Sequence, residues 1–150
     1  MKNQNMVIRP FDAAVDTEKL SDIWLDASLE AHSFIGQRRL LEQRRLIEET
    51  YLPTAETWVA CHQGEPIGFI SLLDGFIGGL FVAPGQQGRG VGRKLIAHAL
   101  ELKGKLSLEL YVKNRQAVRF YTDLGFTEVS RRPVDDDGFP FENARLQLSA

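Results

Sequence analysis

The chain has 150 residues, of which 43% are hydrophobic and 25% charged, and its formal net charge is −2. The two fractions are typical of a soluble globular protein and exclude a disordered or fibrous chain, and the length suits a single domain over residues 1–150. Proteins that bind the phosphate backbone of nucleic acids carry a clear basic excess. The charge therefore disfavours nucleic acid as a partner.

The sequence gives no sign of a membrane segment, a disulfide or a metal site. Its first six residues lack the apolar stretch of a signal peptide, and no later run approaches the length of a membrane span. We therefore expect a cytoplasmic protein with no membrane partner. Cys61 is the one cysteine, and the apolar run that begins at Trp58 favours a buried core thiol over a nucleophile or a metal ligand.

The first half of the chain predicts a strand, two helices and three further strands. Apolar residues recur with the helical period after Asp16, which is placed to cap the first helix, and Gly36 separates that helix from the second. Arg44 and Arg45 stand four residues before glutamates, a spacing that favours ion pairs on a solvated helix face over a binding patch. The predicted strands span 6–11, 57–62, 67–73 and 76–82, and the predicted helices span 16–31 and 37–52.

A glycine-rich turn follows the strand at 76–82. Glycines at positions 88, 90 and 92 bring no side chains into it, so successive backbone N–H groups can converge on one anion at the positive end of the next helix. This geometry suits a pyrophosphate, although a glycine-rich turn without a ligand has the same composition. Two known motifs fail, because Arg93 stands where a dinucleotide fingerprint needs its third glycine, and no glycine here precedes Lys-Ser or Lys-Thr as a P-loop requires.

The second half of the chain predicts two helices and three strands. Asn114 is placed to cap the second of these helices and Gly125 to end it, and Glu109 is the single carboxylate in the strand between the helices. The predicted helices span 91–103 and 114–124, the strands span 106–112, 126–129 and 144–148, and an acidic turn spans 135–138.

Two ordered motifs resemble those of the Gcn5-related N-acetyltransferase (GNAT) family. The glycine turn fits Gln-x-x-Gly-x-Gly, from Gln87 to Gly92, directly after the strand that ends in Leu80-Phe81-Val82. The second motif is Asn114-x-x-Ala117-x-x-Phe120-Tyr121-x-x-x-Gly125-Phe126. The resemblance implies an α/β (α+β) fold, with a mixed, mostly antiparallel sheet of about six or seven strands flanked by about four helices. It also implies that the strands at 76–82 and 106–112 part at one end to hold acetyl-CoA.

The resemblance implies acetyl-CoA as the co-substrate and no metal. The pantetheine arm would follow the strand before the glycine turn, and a backbone N–H near Val82 would polarise the thioester carbonyl. The pyrophosphate would lie on the amides of the turn, and Asn114 would contact the cofactor arm unless it serves only as a helix cap. The implied cofactor-binding residues are Leu80, Phe81, Val82, Gln87, Gly88, Arg89, Gly90, Val91, Gly92, Arg93, Asn114 and Tyr121.

The implied reaction is transfer of the acetyl group to a primary amine by direct attack in a ternary complex. Tyr121 matches the family's acid, which protonates the departing thiolate, although an aromatic packing residue would fit the same pattern. Many members carry a carboxylate base where this chain has Gly78-Gly79. Glu109 is the best substitute, because Tyr121 follows it by 12 positions, which is the Glu-to-Tyr spacing of the ribosomal-protein acetyltransferase branch. The alternation along its strand puts Glu109 either in the cleft or on a polar face. His32 is the second candidate base, although a lone histidine after a helix is more often a polar surface residue or a structural one.

The sequence does not identify the amine acceptor. The resemblance places its pocket at the first helices, with Trp24, Ser28 and Phe34, and at the late loop over 133–141. Aspartates at 135–137 in that loop either attract a cationic amine or keep an exposed turn soluble. A small-molecule amine and a peptide amine are both compatible with this pattern, from polyamines, aminoglycosides and amino acids to protein N-termini and lysines.

The absent carboxylate at Gly78-Gly79 also supports an alternative function, that of a catalytically weak or inactive acyl-CoA-binding regulatory module. Binding of acetyl-CoA is expected in both cases, whereas only an enzyme releases free CoA when amines are offered. A homodimer is compatible with the sequence, and no sequence feature decides for or against it.

Overall fold

The computed structural model describes residues 6–31 and 37–150. Its strands are β1 Met6–Pro10, β2 Glu56–His62, β3 Glu65–Leu73, β4 Phe76–Val82, β5 Lys105–Tyr111, β6 Thr127–Arg132 and β7 Asn143–Ser149. Its helices are α1 Ala13–Ala31, α2 Gln37–Leu46, α3 Leu52–Thr54, α4 Val91–Lys103 and α5 Arg115–Asp123, and a π-helical turn, Ile47–Tyr51, joins α2 to α3.

The strands form one sheet in the order β1-β2-β3-β4-β5-β7-β6. All neighbouring strands are antiparallel except β4 and β5, which are parallel. A mostly antiparallel sheet of seven strands with four longer helices confirms the predicted α+β fold.

The sheet packs on both faces because its central strands alternate apolar side chains between two cores. Val59, Cys61 and Phe69 belong to the core that α1 and α2 cover. Ala60 and Ile70, one position further along the same strands, belong to the core that α4 and α5 cover. Burial raises the pKa of the Cys61 thiol, as expected for the predicted core cysteine.

Strands β4 and β5 pair only at one end. Their parallel register consists of Phe76 with Ser107 and Ile77 with Leu108, and the two strands are unpaired beyond those residues. The antiparallel ladder between β3 and β4 also skips Gly78, which forms a bulge at the same level. The two strands therefore part from Gly78 onward, and a cleft opens between them.

The start of α1 differs from the prediction. The helix begins at Ala13, and the side chain of Asp12 accepts a hydrogen bond from the N–H of Ala14 at 3.0 Å. Asp16, the predicted cap, is instead buried and accepts two hydrogen bonds from Arg9 at 2.7 and 2.9 Å, which lower the pKa of its carboxyl. An aspartate near the start of a helix can be either the N-cap or the partner in a buried ion pair, and the helical pattern does not distinguish these two roles.

The arginines at the end of α2 hold the first two helices together. The predicted i,i+4 ion pairs are present, Arg44 with Glu48 at 3.3 Å and Arg45 with Glu49 at 3.8 Å. Arg44 also donates to the Ser21 hydroxyl at 2.7 Å and forms an ion pair with Asp22. The exposed pair of Arg45 contributes only a few tenths of a kcal/mol, whereas the contacts of Arg44 fix the position of α2 on α1.

Candidate functional site

The cleft between β4 and β5 has a volume of about 1120 Å³. One end reaches the glycine turn and the start of α4, and the other reaches the π-helical turn and the loop between β6 and β7. Its walls include Ala27, Leu46, Tyr51, Gly78, Gly79, Leu80, Phe81, Val82, Gln86, Gln87, Gly88, Gly90, Val91, Gly92, Arg93, Glu109, Tyr111, Asn114, Phe120, Tyr121, Arg132 and Asp137. Most of the predicted cofactor-binding residues therefore meet along one continuous cavity.

The glycine turn has the backbone geometry of an anion-binding loop. Gly88 and Gly90 have φ angles of 84° and 80°, a region that side chains disfavour, and a Cβ on either would meet no atom within 4 Å. Gly90 immediately precedes α4, whose first N–H groups have no partner within the helix. Arg93 lines the cleft beside these amides, while Arg89 is exposed and does not line it. An anionic group at this end would meet backbone N–H groups and one guanidinium.

The next part of the cleft suits an extended polar chain. Beyond Ile77 the edge of β4 that faces β5 has no strand partner among the described residues, so its backbone groups can pair with a ligand as an added strand would. The side-chain oxygen of Gln86, in the turn before the glycines, is buried and accepts no hydrogen bond within the described residues. Its position on the cleft wall fits a donor supplied by a bound molecule, such as an amide of pantetheine.

Tyr121 lies on the cleft wall within an aromatic cluster. Its ring is in edge-to-face contact with Phe120 and Phe126, at centroid distances of 5.0 and 5.3 Å. The side chain is almost fully buried, and burial raises the pKa of its hydroxyl above the ordinary value for tyrosine. The hydroxyl therefore keeps its proton at neutral pH and is available as a hydrogen-bond donor.

Asn114 is both a helix cap and a cleft residue. Its side-chain oxygen accepts a hydrogen bond from the N–H of Ala117 at 3.2 Å, which is the geometry of an N-cap. The same residue lines the cleft next to α5. The predicted cap is therefore present, and the predicted contact with a cofactor arm stays a prediction.

Glu109 lies on β5 at the level where the two strands part. It lines the cleft, and each carboxylate oxygen contacts a different arginine, Arg132 at 3.1 Å and Arg145 at 3.6 Å. The alternation along β5 allowed Glu109 to lie either in the cleft or on a polar face, and in the structure it lies on the cleft wall. The two arginines belong to β6 and β7, so the sequence around Glu109 could not predict these contacts.

The predicted acceptor residues of α1 lie in the core and not on the cleft wall. Trp24 and Ser28 are 5% and 1% exposed, and Trp24 packs edge-on against Phe81 at a centroid distance of 6.4 Å. Ala27, between them in sequence, is the residue of α1 that lines the cleft. Two other predicted site residues, His32 and Phe34, lie outside the described residues.

The loop between β6 and β7 is fastened to the rest of the protein through its aspartates. Asp135 is buried and accepts hydrogen bonds from Arg39 and from the Tyr111 hydroxyl, both at 3.0 Å. Burial opposes ionisation of Asp135, but the hydrogen bonds from Arg39, from the N–H of Phe139 and from Tyr111 together outweigh it and lower the pKa. Arg39 also pairs with Asp137 at 2.6 Å, and Arg132 pairs with Asp136 at 2.9 Å. Each of these carboxylates is therefore paired with an arginine of the same chain, and Arg39 serves two of them.

Tyr51 is a cleft residue that the sequence did not single out. It ends the π-helical turn, lines the cleft, and covers the bulge of β4, so that a Cβ on Gly78 would coincide with the Tyr51 hydroxyl. Gly78 therefore leaves the space that this phenol occupies. Within the sequence, Tyr51 matched only the apolar face of the second helix.

The comparison with known proteins decides the family. A family model described as an acetyltransferase (GNAT) domain matches residues 53–128, which include β4, the glycine turn, β5 and α5. The chain belongs to the GNAT family. The resemblance of the glycine turn and of the motif from Asn114 to Phe126 is thereby confirmed.

Several relatives of this GNAT domain are known. Peptidyl-lysine N-acetyltransferase YjaB of Salmonella typhimurium is 38% identical over 125 residues, which cover 83% of this chain and 86% of that protein. Peptidyl-lysine N-acetyltransferase YiaC of Escherichia coli is 32% identical over 120 residues, covering 79% and 82%. The solution structure of apo-form YjaB from Escherichia coli matches with a TM-score of 0.87 and 33% identity, over 97% of this chain and 99% of that one.

A more distant structure shares the fold. The acetyltransferase yncA of Salmonella typhimurium, solved with acetyl-CoA, matches with a TM-score of 0.70 and 23% identity, over 97% of this chain and 94% of that one.

Across residues 6–31 and 37–150 of this GNAT domain, no three His, Cys, Asp or Glu side chains are grouped so that they could hold a metal ion. None of the helices in these residues has the length and apolar character needed to cross a membrane.

Proposed function

We propose that this chain transfers the acetyl group of acetyl-CoA to the ε-amino group of lysine side chains in proteins. The observation that carries the proposal is the continuous cleft between β4 and β5, which joins an anion-binding turn at one end to an open, partly apolar end at the other. Relatives that are 38% and 32% identical are peptidyl-lysine N-acetyltransferases, which supports a lysine acceptor here.

The residues along the cleft fit acetyl-CoA as the donor. The amides after Gly88 and the guanidinium of Arg93 would hold the pyrophosphate. The unpaired edge of β4 and the side-chain oxygen of Gln86 would hold the pantetheine arm. When bound, acetyl-CoA supplies an activated acyl group as a thioester, and the residues of this chain bind it, orient it and exclude water.

The other end of the cleft fits one amine on a slender apolar stem. Ala27 and Leu46 are apolar wall residues there and can cover the methylene groups of a lysine. The aspartates of the late loop are already paired with Arg39 and Arg132, which weakens their attraction for a polycation. These contacts favour lysine over polyamines and aminoglycosides.

The transfer requires a neutral amine and a stabilised leaving group. The amine nitrogen attacks the thioester carbon, the carbon–sulfur bond breaks, and the nitrogen releases its proton to solvent. The thiolate, derived from a thiol with a pKa of about 8.5, takes a proton from the Tyr121 hydroxyl, which solvent then reprotonates. Tyr121 is suited to this role because it lines the cleft with its proton retained.

The contacts of Glu109 favour a structural role over that of a general base. Both of its oxygens contact arginines, and uptake of the amine proton would neutralise Glu109 and so break its ion pairs with Arg132 and Arg145. We propose that Glu109 fixes Arg132 at the mouth of the cleft. The amine then has to lose its proton to water before it attacks.

This role of Glu109 predicts a specific pH dependence. The kcat/KM for a lysine peptide should rise about tenfold per pH unit toward the amine pKa near 10.4, because only the neutral amine reacts. The Glu109→Gln variant should keep the same slope and lose less than about tenfold in rate. Steady-state kinetics between pH 6 and about 10 checks both. A bell-shaped wild-type profile that the variant converts into a simple rise would return the base role to Glu109.

A panel of acceptors tests the proposed function. The protein should release free CoA from acetyl-CoA when offered a lysine-containing peptide with a blocked N-terminus. The same peptide with its lysine already acetylated should give no release, and spermidine, kanamycin and free amino acids should react far more slowly. Mass spectrometry of the product should place the added acetyl group on the lysine. Tight binding of acetyl-CoA without CoA release for any acceptor would instead support the regulatory module.

A further inference from the structure

Tyr51 stands at the point of the cleft where β4 and β5 part. It is the last residue of the π-helical turn Ile47–Tyr51, a rare element that is often found at functional sites. Its phenol covers Gly78, the bulged residue of β4, and fills the space of the side chain that Gly78 lacks. The register of Ile77 with Leu108 sets Gly78 level with Glu109 on the opposite strand. Tyr51 and Glu109 therefore lie on the two sides of the same junction.

The hydroxyl of Tyr51 has no hydrogen-bond partner within the described residues, and its oxygen is buried. An unsatisfied buried hydroxyl destabilises a folded protein, so its presence in a cleft calls for a partner that arrives with a ligand. Burial also raises the pKa of this phenol, so it stays neutral and cannot act as a base. A neutral phenol can still accept one hydrogen bond while it donates another.

We propose that the Tyr51 hydroxyl orients the attacking amine at the point where β4 and β5 part. Its oxygen accepts a hydrogen bond from an N–H of the neutral lysine amine, which directs the nitrogen lone pair at the thioester carbon. This inference rests on the proposed acetyl transfer to lysine, and it assigns no proton transfer to Tyr51.

The variant Tyr51→Phe separates this role from a structural one. It removes only the unpartnered oxygen and keeps the ring, so we expect an unchanged or higher melting temperature and an unchanged Kd for acetyl-CoA. The kcat/KM for a lysine peptide should fall about tenfold to a hundredfold, because misorientation of a reactant by an ångström has effects of that size. A residue that only stabilises the fold would lower the melting temperature and leave kcat/KM intact.

A neighbouring hydroxyl provides the matched control. Thr54 follows Tyr51 within one helical turn, is exposed, and donates its hydroxyl to the Thr50 carbonyl at 2.6 Å. The Thr54→Val variant should keep wild-type kcat/KM. A Tyr51→Phe protein that folds and has wild-type kcat/KM would overturn the inference and leave the proposed function standing. A wild-type protein that acetylates no amine would overturn the proposed function itself, and the inference with it.

The contact between Gly78 and Tyr51 allows a second test that does not depend on one substitution. A Cβ at position 78 would displace the phenol, so Gly78→Ala should lower kcat/KM as Tyr51→Phe does. In a Tyr51→Ala background the phenol is absent, and Gly78→Ala should add no further loss, which is the non-additivity expected of residues in contact. Fully additive losses would contradict an effect that operates through Tyr51.

Discussion

Replacing Tyr121 with phenylalanine is expected to lower kcat for acetyl transfer by about a hundredfold to ten-thousandfold, the range typical of a lost general acid. The substitution removes the donor that stabilises the departing thiolate. It leaves the ring in place, so the edge-to-face contacts with Phe120 and Phe126 persist. The Kd for acetyl-CoA should change little, because the hydroxyl acts on the sulfur only as the carbon–sulfur bond breaks.

The next residue of α5 gives the control for Tyr121. Thr122 is exposed, and its hydroxyl donates to backbone carbonyls of the same helix, those of Val118 at 2.9 Å and Arg119 at 3.1 Å. Loss of that hydroxyl in Thr122→Val should leave kcat unchanged. Single-turnover measurements at saturating acetyl-CoA compare the two variants at the chemical step. A Tyr121→Phe protein that retains full turnover would leave Tyr121 with a packing role alone.

The fold could be predicted from the sequence because local rules determine most of its elements. Apolar side chains alternate along the strands, as at Phe69 and Ile70, which enter the two different cores. The glycines at 88 and 90 are required by positive φ angles, which few other residues adopt, so the glycine turn was recognisable from spacing alone. Such features depend on a residue and its near neighbours in the chain.

The acceptor end of the cleft could not be predicted, because distant residues form it. Helical periodicity places Trp24 and Ser28 on one face of α1 but does not tell whether that face meets the core or the cleft. The late aspartates were ambiguous for a similar reason, since the arginine that neutralises Asp135 is 96 residues away in sequence. Charge patterns in one segment do not show which segment will neutralise them.

Gly78 is the clearest case of a residue whose local structure depends on a distant part of the chain. Glycine inside a strand is typical of a bulge or of a close approach by a ligand, and a bulge is present at Gly78. The space beside Gly78 is filled by Tyr51, which comes from a helical turn 27 residues earlier. A π-helical turn cannot be recognised from apolar periodicity, so the phenol was assigned to an ordinary helix face.

Gly90→Ala is expected to weaken acetyl-CoA binding about tenfold to a hundredfold. Gly90 has a φ of 80° just before α4, and an alanine there destabilises this backbone conformation by about 1–2 kcal/mol. If the turn relaxes, an amide is lost from the pyrophosphate site, and a hydrogen bond to a charged group contributes about 1.5–3 kcal/mol. The affinity range follows from that energy at about 1.4 kcal/mol per tenfold.

Gly85→Ala is the matched control for Gly90→Ala. Gly85 belongs to the same turn, a Cβ on it would meet nothing within 4 Å, and its φ is not positive. Isothermal titration with acetyl-CoA should therefore give a wild-type Kd for Gly85→Ala and a raised Kd for Gly90→Ala. Dephospho-CoA, which keeps the pyrophosphate but lacks the ribose phosphate, should show the same difference between the variants. Equal affinities in the two variants would mean that the pyrophosphate does not lie on the amides at the start of α4.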